Sequence, residues 1–229
     1  NPNLDSEQQH NFNINYGAFS QKLNFNATLS YSFAKNAVTP YSFIVQNVED
    51  GIEKSVTHNT YANIGRNHTV GTNLYASWTP SDIIRTYLNG GINYTDIQST
   101  QNSELRNSGF SGRAFGGITF TFPKDLRVGA NGGLFLNRVQ LQTEQSPFYF
   151  YSLSMQKSFF DKKLDLSLNV QNLFSEYREF SSTTRGEGFT QKSVFLNPMR
   201  NLNLSVTYRF GDLRTSVKRV QRSITNEDV

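Results

Sequence analysis

The sequence has no cysteine, a single tryptophan and only two methionines in 229 residues. Without cysteine, neither a disulfide framework nor a thiolate-held metal is available. It also lacks any run of about 18 apolar residues, the minimum for a membrane-crossing helix. With hydrophobic residues at 36% and a mean hydropathy of −0.52, a helical membrane protein is excluded. A membrane barrel is not, because only alternate residues of its strands meet lipid and the average composition stays polar. No charge of one sign dominates: 22 Lys and Arg stand against 18 Asp and Glu, a net charge of +4 scattered along the chain. No basic stripe follows from this, so nucleic acid is not an expected partner.

Motifs that carry chemistry are missing as well. Gly-x-Ser-x-Gly, His-Glu-x-x-His and phosphate-loop patterns do not occur, and no enzymatic activity is expected. His10, His58 and His68 fit no ligand spacing and read as solvated side chains, so neither a metal nor another cofactor is expected. The opening "NPNLDSEQQH" has no charged-then-apolar pattern, which points to a leader already removed or to an excised segment.

What the chain does have is aromatic side chains, 19 Phe and 11 Tyr, many of them alternating with Asn, Ser and Thr. The stretch "NLNLSVTYRFG" places Leu202, Leu204, Val206, Tyr208 and Phe210 against Asn203, Ser205, Thr207 and Arg209. Period two means a β-strand with one apolar and one polar face. The same pattern gives nine strands, at about 11–16, 22–33, 70–78, 84–94, 110–122, 126–137, 149–155, 164–171 and 202–210. Short turns at "AFSQK", "WTPSDI", "FPKDL" and "FFDKKL" alternate with long polar connections at about 34–66, 96–108, 138–148 and 174–200. The first long connection is expected to continue as a protruding hairpin around its Glu-Asp-Gly turn.

Two architectures share this alternation. Soluble sandwich strands are typically about five or six residues long, whereas a tilted membrane strand needs about 9–11. Most runs here are of the longer kind, and their polar faces carry few charges, as a wet lumen requires. Every second loop is long, the asymmetry of an outer-membrane barrel. Aromatic residues gather near the short turns, at Phe19, Trp78, Phe122, Phe159, Phe160 and Phe210, with a looser set at Phe33, Tyr94, Phe110 and Tyr149 toward the long loops. Two such belts match the two lipid–water interfaces. The expected fold is therefore all-β, an antiparallel up-and-down transmembrane barrel portion over residues 1–211, with short periplasmic turns and long extracellular loops. A soluble all-β module remains the alternative. Residues 212–229 form a periplasmic tail, in which Leu213, Val217, Val220 and Ile224 fit a short amphipathic helix as well as an unstructured end.

Arg85, Arg113 and Arg127 fall on the polar faces and point to the lumen, where they are candidates for contact with a plug or a solute. Structural pairing with lumenal carboxylates or with solvent is the plainer reading. Phe148, Tyr149, Phe150, Phe180 and Phe189 lie in or beside the long loops and are expected to pack those loops together rather than to form a ligand platform.

Three segments carry a family resemblance. "NPNLDSEQQHNFNINYG" resembles the Gly-Asn-Pro-x-Leu-x-x-Glu segment inside the barrel of TonB-dependent outer-membrane receptors, here without the Gly. "VQNLFSEY" resembles the Asn-Leu-Phe motif of their penultimate strand, and "LSVTYRFG" their closing strand, whose alternating apolar positions and terminal aromatic are read by the barrel assembly machinery. The tail "DLRTSVKRVQRSITNEDV" is similar to that of the Bacteroidetes outer membrane β-barrel family. The resemblance implies a barrel of about 22 strands with a plugged lumen, of which this chain is the C-terminal part. It further implies outer-membrane lipid as surroundings and a plug domain and TonB as partners through an upstream region. Uptake of a scarce small-molecule ligand (a siderophore, glycan, peptide or metal complex) would be the task. A non-transporting barrel whose loops bind a surface partner is the rival.

Overall fold

The computed structural model describes residues 1–49 and 51–210, the side chain of residue 49 excepted. Twelve strands form among them: β1 (Gln8–Phe19), β2 (Leu23–Glu49), β3 (Ile52–Trp78), β4 (Ile84–Ser99), β5 (Arg106–Phe122), β6 (Leu126–Phe135), β7 (Thr143–Gln145), β8 (Phe148–Phe159), β9 (Leu164–Gln171), β10 (Tyr177–Gly186), β11 (Phe189–Pro198) and β12 (Asn201–Tyr208). Nine of these make one antiparallel sheet in the order β1-β2-β3-β4-β5-β6-β8-β9-β12, and they are the nine runs that alternation marks in the sequence. The other three, β11-β10-β7, form a small second sheet. Here the reading of 138–148 and 174–200 as plain loops is corrected. The polar, Ser- and Thr-rich segments there pair with each other, so their alternation serves a local hairpin rather than a spanning strand.

Register explains why one face is apolar throughout. Directly paired residues of an antiparallel sheet share a face, and here apolar or aromatic residues meet on successive strands: Phe12 with Tyr31, Tyr31 with Val70, Val70 with Tyr94. At the other end Ala130 faces Leu153, Leu153 faces Val170, and Val170 faces Leu202. On the reverse face Asn13 pairs with Ser30, Ser152 with Gln171 and Asn203 with Asn169. A slip of one residue in any ladder would invert both faces of that strand.

The apolar face is not covered by a second layer. Ile14 is 71% exposed and Leu204 68%, in the middle of their strands. Large apolar surfaces left open in this way need a non-aqueous neighbour. Buried apolar side chains are few among the described residues. They centre on Ile64, Ile97 and Leu141, with Tyr41, Leu105 and Val139 packed around them. That small core sits at the long-connection end.

Strands β2 and β3 run 27 residues each, well past the sheet. A bulge interrupts them where Lys35 and Asn36, the latter at φ 55, oppose Arg66. Beyond it the pair continues as the expected hairpin to the Glu49–Ile52 pair. A bulge of this kind bends and twists the strand that carries it. Gln142, itself buried, braces the hairpin: its side-chain amide accepts from the Ser42 N–H at 2.8 Å and donates to the Ser42 carbonyl at 3.0 Å.

The short turns hold several side-chain-bearing residues in the left-handed region: Lys124 at φ 60, Asp125 at 56 and Phe160, Asp161 and Lys162 at 53, 50 and 67. Such a conformation costs an L-residue roughly 1–2 kcal/mol, part of which glycine returns as unfolded-state entropy. Lys124→Gly should therefore raise stability by about 0.5 kcal/mol, while Lys124→Val should lower it by about 1 kcal/mol. Urea unfolding midpoints in detergent micelles measure both.

Candidate functional site: the polar face and its mouth

The polar face is a broad surface on which functional side chains can collect, and the register places all three arginines on it. Arg85 lies opposite Thr119, Arg113 opposite Gly91 and Phe135, and Arg127 opposite Thr121 and Gln156. All three are exposed. Among the described residues none of their side chains has a hydrogen bond or an ion pair; Arg85 and Arg113 face the solvent of the bore, and Arg127 shares a hollow with the carboxylate of Asp165.

At the short-turn end the face forms a polar hollow of about 320 Å³, lined by Arg127, Gln156, Asp165 and Arg209 among others. Asp165 is its anchor. The carboxylate accepts from Ser158 Oγ and from Arg209 Nη2, each at 2.6 Å. Arg209 also donates through Nη1 to the Lys162 carbonyl at 2.6 Å and through its backbone N–H to the Lys163 carbonyl at 2.7 Å. One arginine thus clamps the end of the closing strand to the β8–β9 turn. The sequence showed only that Arg209 alternates onto the polar face; its partner 44 residues away carried no local signal.

At the opposite end, the main sheet and the small sheet enclose a cleft of about 350 Å³. Its apolar side is made by Phe135, Phe148, Phe180 and Phe195, its polar side by Arg138, Gln145, Ser146 and Ser182. Phe135 and Phe148 stack at 4.4 Å, Phe148 meets Phe180 edge-on at 5.1 Å, and Phe115 meets Phe135 edge-on at 5.2 Å. Of the five aromatics singled out in the loops, Phe148, Phe150 and Phe180 join this cluster. Tyr149 points to the apolar face beneath Arg178, whose guanidinium lies 3.8 Å from the ring centre, and Phe189 closes its own hairpin opposite Gly186. The expectation that these rings pack loops together holds for part of the set, yet the same packing leaves an open, aromatic-walled cleft. Phe115 and Phe135 were not singled out. Their signal was legible, because each is a phenylalanine on the polar phase of its strand.

The outer rim of the apolar face has an ion pair of its own. Arg106 binds Asp96 through two hydrogen bonds, Nε to Oδ1 at 2.9 Å and Nη2 to Oδ2 at 2.8 Å. Both residues lie beyond the apolar run that ends at Tyr94, and the bidentate contact holds the Asp96 carboxyl below the ordinary carboxylate range.

A model of the outer membrane protein beta-barrel family matches residues 1–208. The chain belongs to that family. No curated protein and no solved structure matches it. Membership in this barrel family places the protein in the Gram-negative outer membrane. The exposed apolar face is therefore the lipid face, and the polar face with its arginines turns inward. Short turns mark the periplasmic end and long connections the outside, as in other barrels of this kind.

The aromatic belt residues can now be placed. Trp78 pairs with Leu23, Phe122 with Leu126 and Phe159 with Leu164, all on the lipid face at the periplasmic end. Phe160 sits in the turn beyond them, 71% exposed, with its ring 6.5 Å from that of Phe159. Phe19 departs from the belt, since it pairs with Asn24 on the polar phase. Leu202, Leu204, Val206 and Tyr208 of the closing strand pair with Val170, Leu168, Leu166 and Leu164, and the ring of Phe210 meets Tyr208 edge-on at 4.7 Å. The tail at 212–229 lies outside the described residues.

Proposed function

We propose that this sheet is part of the barrel of a TonB-dependent receptor, which carries a scarce small-molecule ligand inward through a plugged lumen and performs no catalysis. The observation that carries the reading is the unpartnered state of Arg85 and Arg113 on the inward face. Unpaired guanidinium groups lining a bore are suited to hold acidic residues of a plug domain or to guide an anionic solute. The aromatic cleft at the mouth, with Arg138 and several hydroxyl and amide groups on one side, has the composition of a capture site for a small ligand.

Strand parity supports a larger barrel. β1 ends at the first short turn and β12 ends at the same side of the membrane, so the two edges of the sheet run in one direction. Antiparallel closure then needs an odd number of further strands between them, which brings the total to the even count of bacterial barrels. The resemblance of "VQNLFSEY" and "LSVTYRFG" to the last strands of these receptors favours further strands upstream.

The test uses cells with the intact gene, cells lacking it and cells lacking TonB. Each is supplied with a labelled ferric catecholate, cobalamin, a malto-oligosaccharide and a peptide. Accumulation of one compound that requires both the gene and TonB is the expected result. Uptake independent of TonB for all four, together with an open conductance of the purified protein in planar bilayers, would show an unplugged pore or a surface-binding barrel instead.

A further inference from the structure

The lipid face ends, on its outer side, in three successive rows that the register defines across β1 to β5. The last fully membrane-like row is Phe12, Tyr31, Val70, Tyr94 and Phe110. Its aromatic rings mark the depth of the outer interface. One step farther out come His10, Phe33, His68, Asp96 and Ser108. Another step out come Gln8, Lys35, Arg66, Gln98 and Arg106, with the bulge setting Lys35 beside Arg66.

Ring contacts show that the middle row shares the lipid-facing side, and the register carries the same side on to the outermost row. His10 stacks on Phe33 at 4.7 Å, and Phe33 stacks on His68 at 6.2 Å. His68 Nδ1 lies 3.1 Å from the hydroxyl of Tyr31 in the row below. Lys35, Arg66 and Arg106 are exposed, and the two outer rows hold a single carboxylate, Asp96, which Arg106 already occupies. Neighbouring strands are about 4.8 Å apart. The cations, on β2, β3 and β5, therefore form a ledge roughly 14 Å wide at headgroup height, facing out of the barrel rather than into it.

We infer that this ledge binds the phosphate groups of an outer-leaflet glycolipid, with Lys35 and Arg66 as the free cations, Gln8 and Gln98 as neutral donors on either side of them, and Arg106 as a shared cation. Two arguments select a phosphorylated lipid over other occupants. The ledge stands directly on an aromatic row, so whatever it binds has its apolar part against Phe12, Tyr31 and Tyr94. Its uncompensated charge is positive, so the polar part is anionic. This inference does not rest on the transport reading, because it concerns the outside of the wall.

The probe is lipid A, the phosphorylated glycolipid of the outer leaflet, in its bis-phosphorylated form and after removal of both phosphates. The complete gene product, extracted from outer membranes and exchanged into detergent, is mixed with each lipid, and retained molecules per protein are counted by native mass spectrometry. The phosphorylated form should be retained and the dephosphorylated form lost. Lys35→Gln with Arg66→Gln should weaken retention about thirtyfold, each interfacial cation contributing roughly fivefold. Lys157→Gln, on the lipid face at the periplasmic end, should change nothing. Heat-modifiable gel migration checks that the variants are folded, and Lys35→Gln alone replaces the pair if they are not. Equal retention of both lipids by the wild type, or equal retention of the phosphorylated form by the folded variant, overturns the inference.

Discussion

Removal of β12 (Asn201–Tyr208) should abolish the folded outer-membrane form, leaving the chain in the periplasm without a heat-modifiable band on gels. The strand makes eight register pairs with β9, and inside lipid each orphaned backbone N–H or C=O costs several kcal/mol. Direction compounds the loss. β9 runs opposite to β12, so a segment that pairs antiparallel with β12 would meet β9 in parallel once β12 is gone. Closure by the same neighbour is then impossible without a change of topology. The clamp from Arg209 to Asp165 and the 162–163 carbonyls would be lost with any deletion that continues to that residue. Alanine at Asn203 and Ser205 serves as the control. These residues face the lumen opposite Asn169 and Ser167, and their loss leaves the ladder intact, so assembly should proceed. Normal insertion of the shortened chain would contradict the role given to this edge.

The second large effect separates the two faces at adjacent positions. Leu168 faces lipid near the middle of the apolar band, between Met155 and Leu204, whereas Asn169 faces the lumen between Ser154 and Asn203. Leu168→Arg should destabilise the protein by about 2–4 kcal/mol, the cost of an arginine near the bilayer midplane, and Asn169→Arg by less than about 1 kcal/mol. Urea unfolding in phosphocholine vesicles gives both values. Equal effects at the two sites would mean that the apolar face meets something other than hydrocarbon.

The spanning part of the fold was legible because it is governed by local rules. Alternation in Leu164, Leu166, Leu168 and Val170 fixes which side faces lipid, and the Pro, Lys and Asp of "FPKDL" fix where the chain reverses. The second sheet was not legible for a physical reason. Tyr177–Gly186 and Phe189–Pro198 are rich in Ser, Thr and charge and form a hairpin without a clear apolar face, and the third strand of their sheet, Thr143–Gln145, lies more than thirty residues upstream. The site divides in the same way. Arg85, Arg113 and Arg127 could be assigned to the polar face from phase alone, but their lack of partners could not. The cleft brings Phe135 to Phe180 through contacts that no spacing announces.

The hold of Gln142 on Ser42 reaches beyond the stability of one hairpin. The hairpin extends about seven residues past that point, a free arm of roughly 23 Å that ends at the tip. Gln142 also accepts, through its carbonyl, the backbone N–H of Arg185 at 2.8 Å, in the strand that supplies Phe180 and Ser182 to the cleft wall. One residue thus ties the hairpin to the strand that walls the cleft, so the position of the arm and the shape of the entrance share a single set of hydrogen bonds.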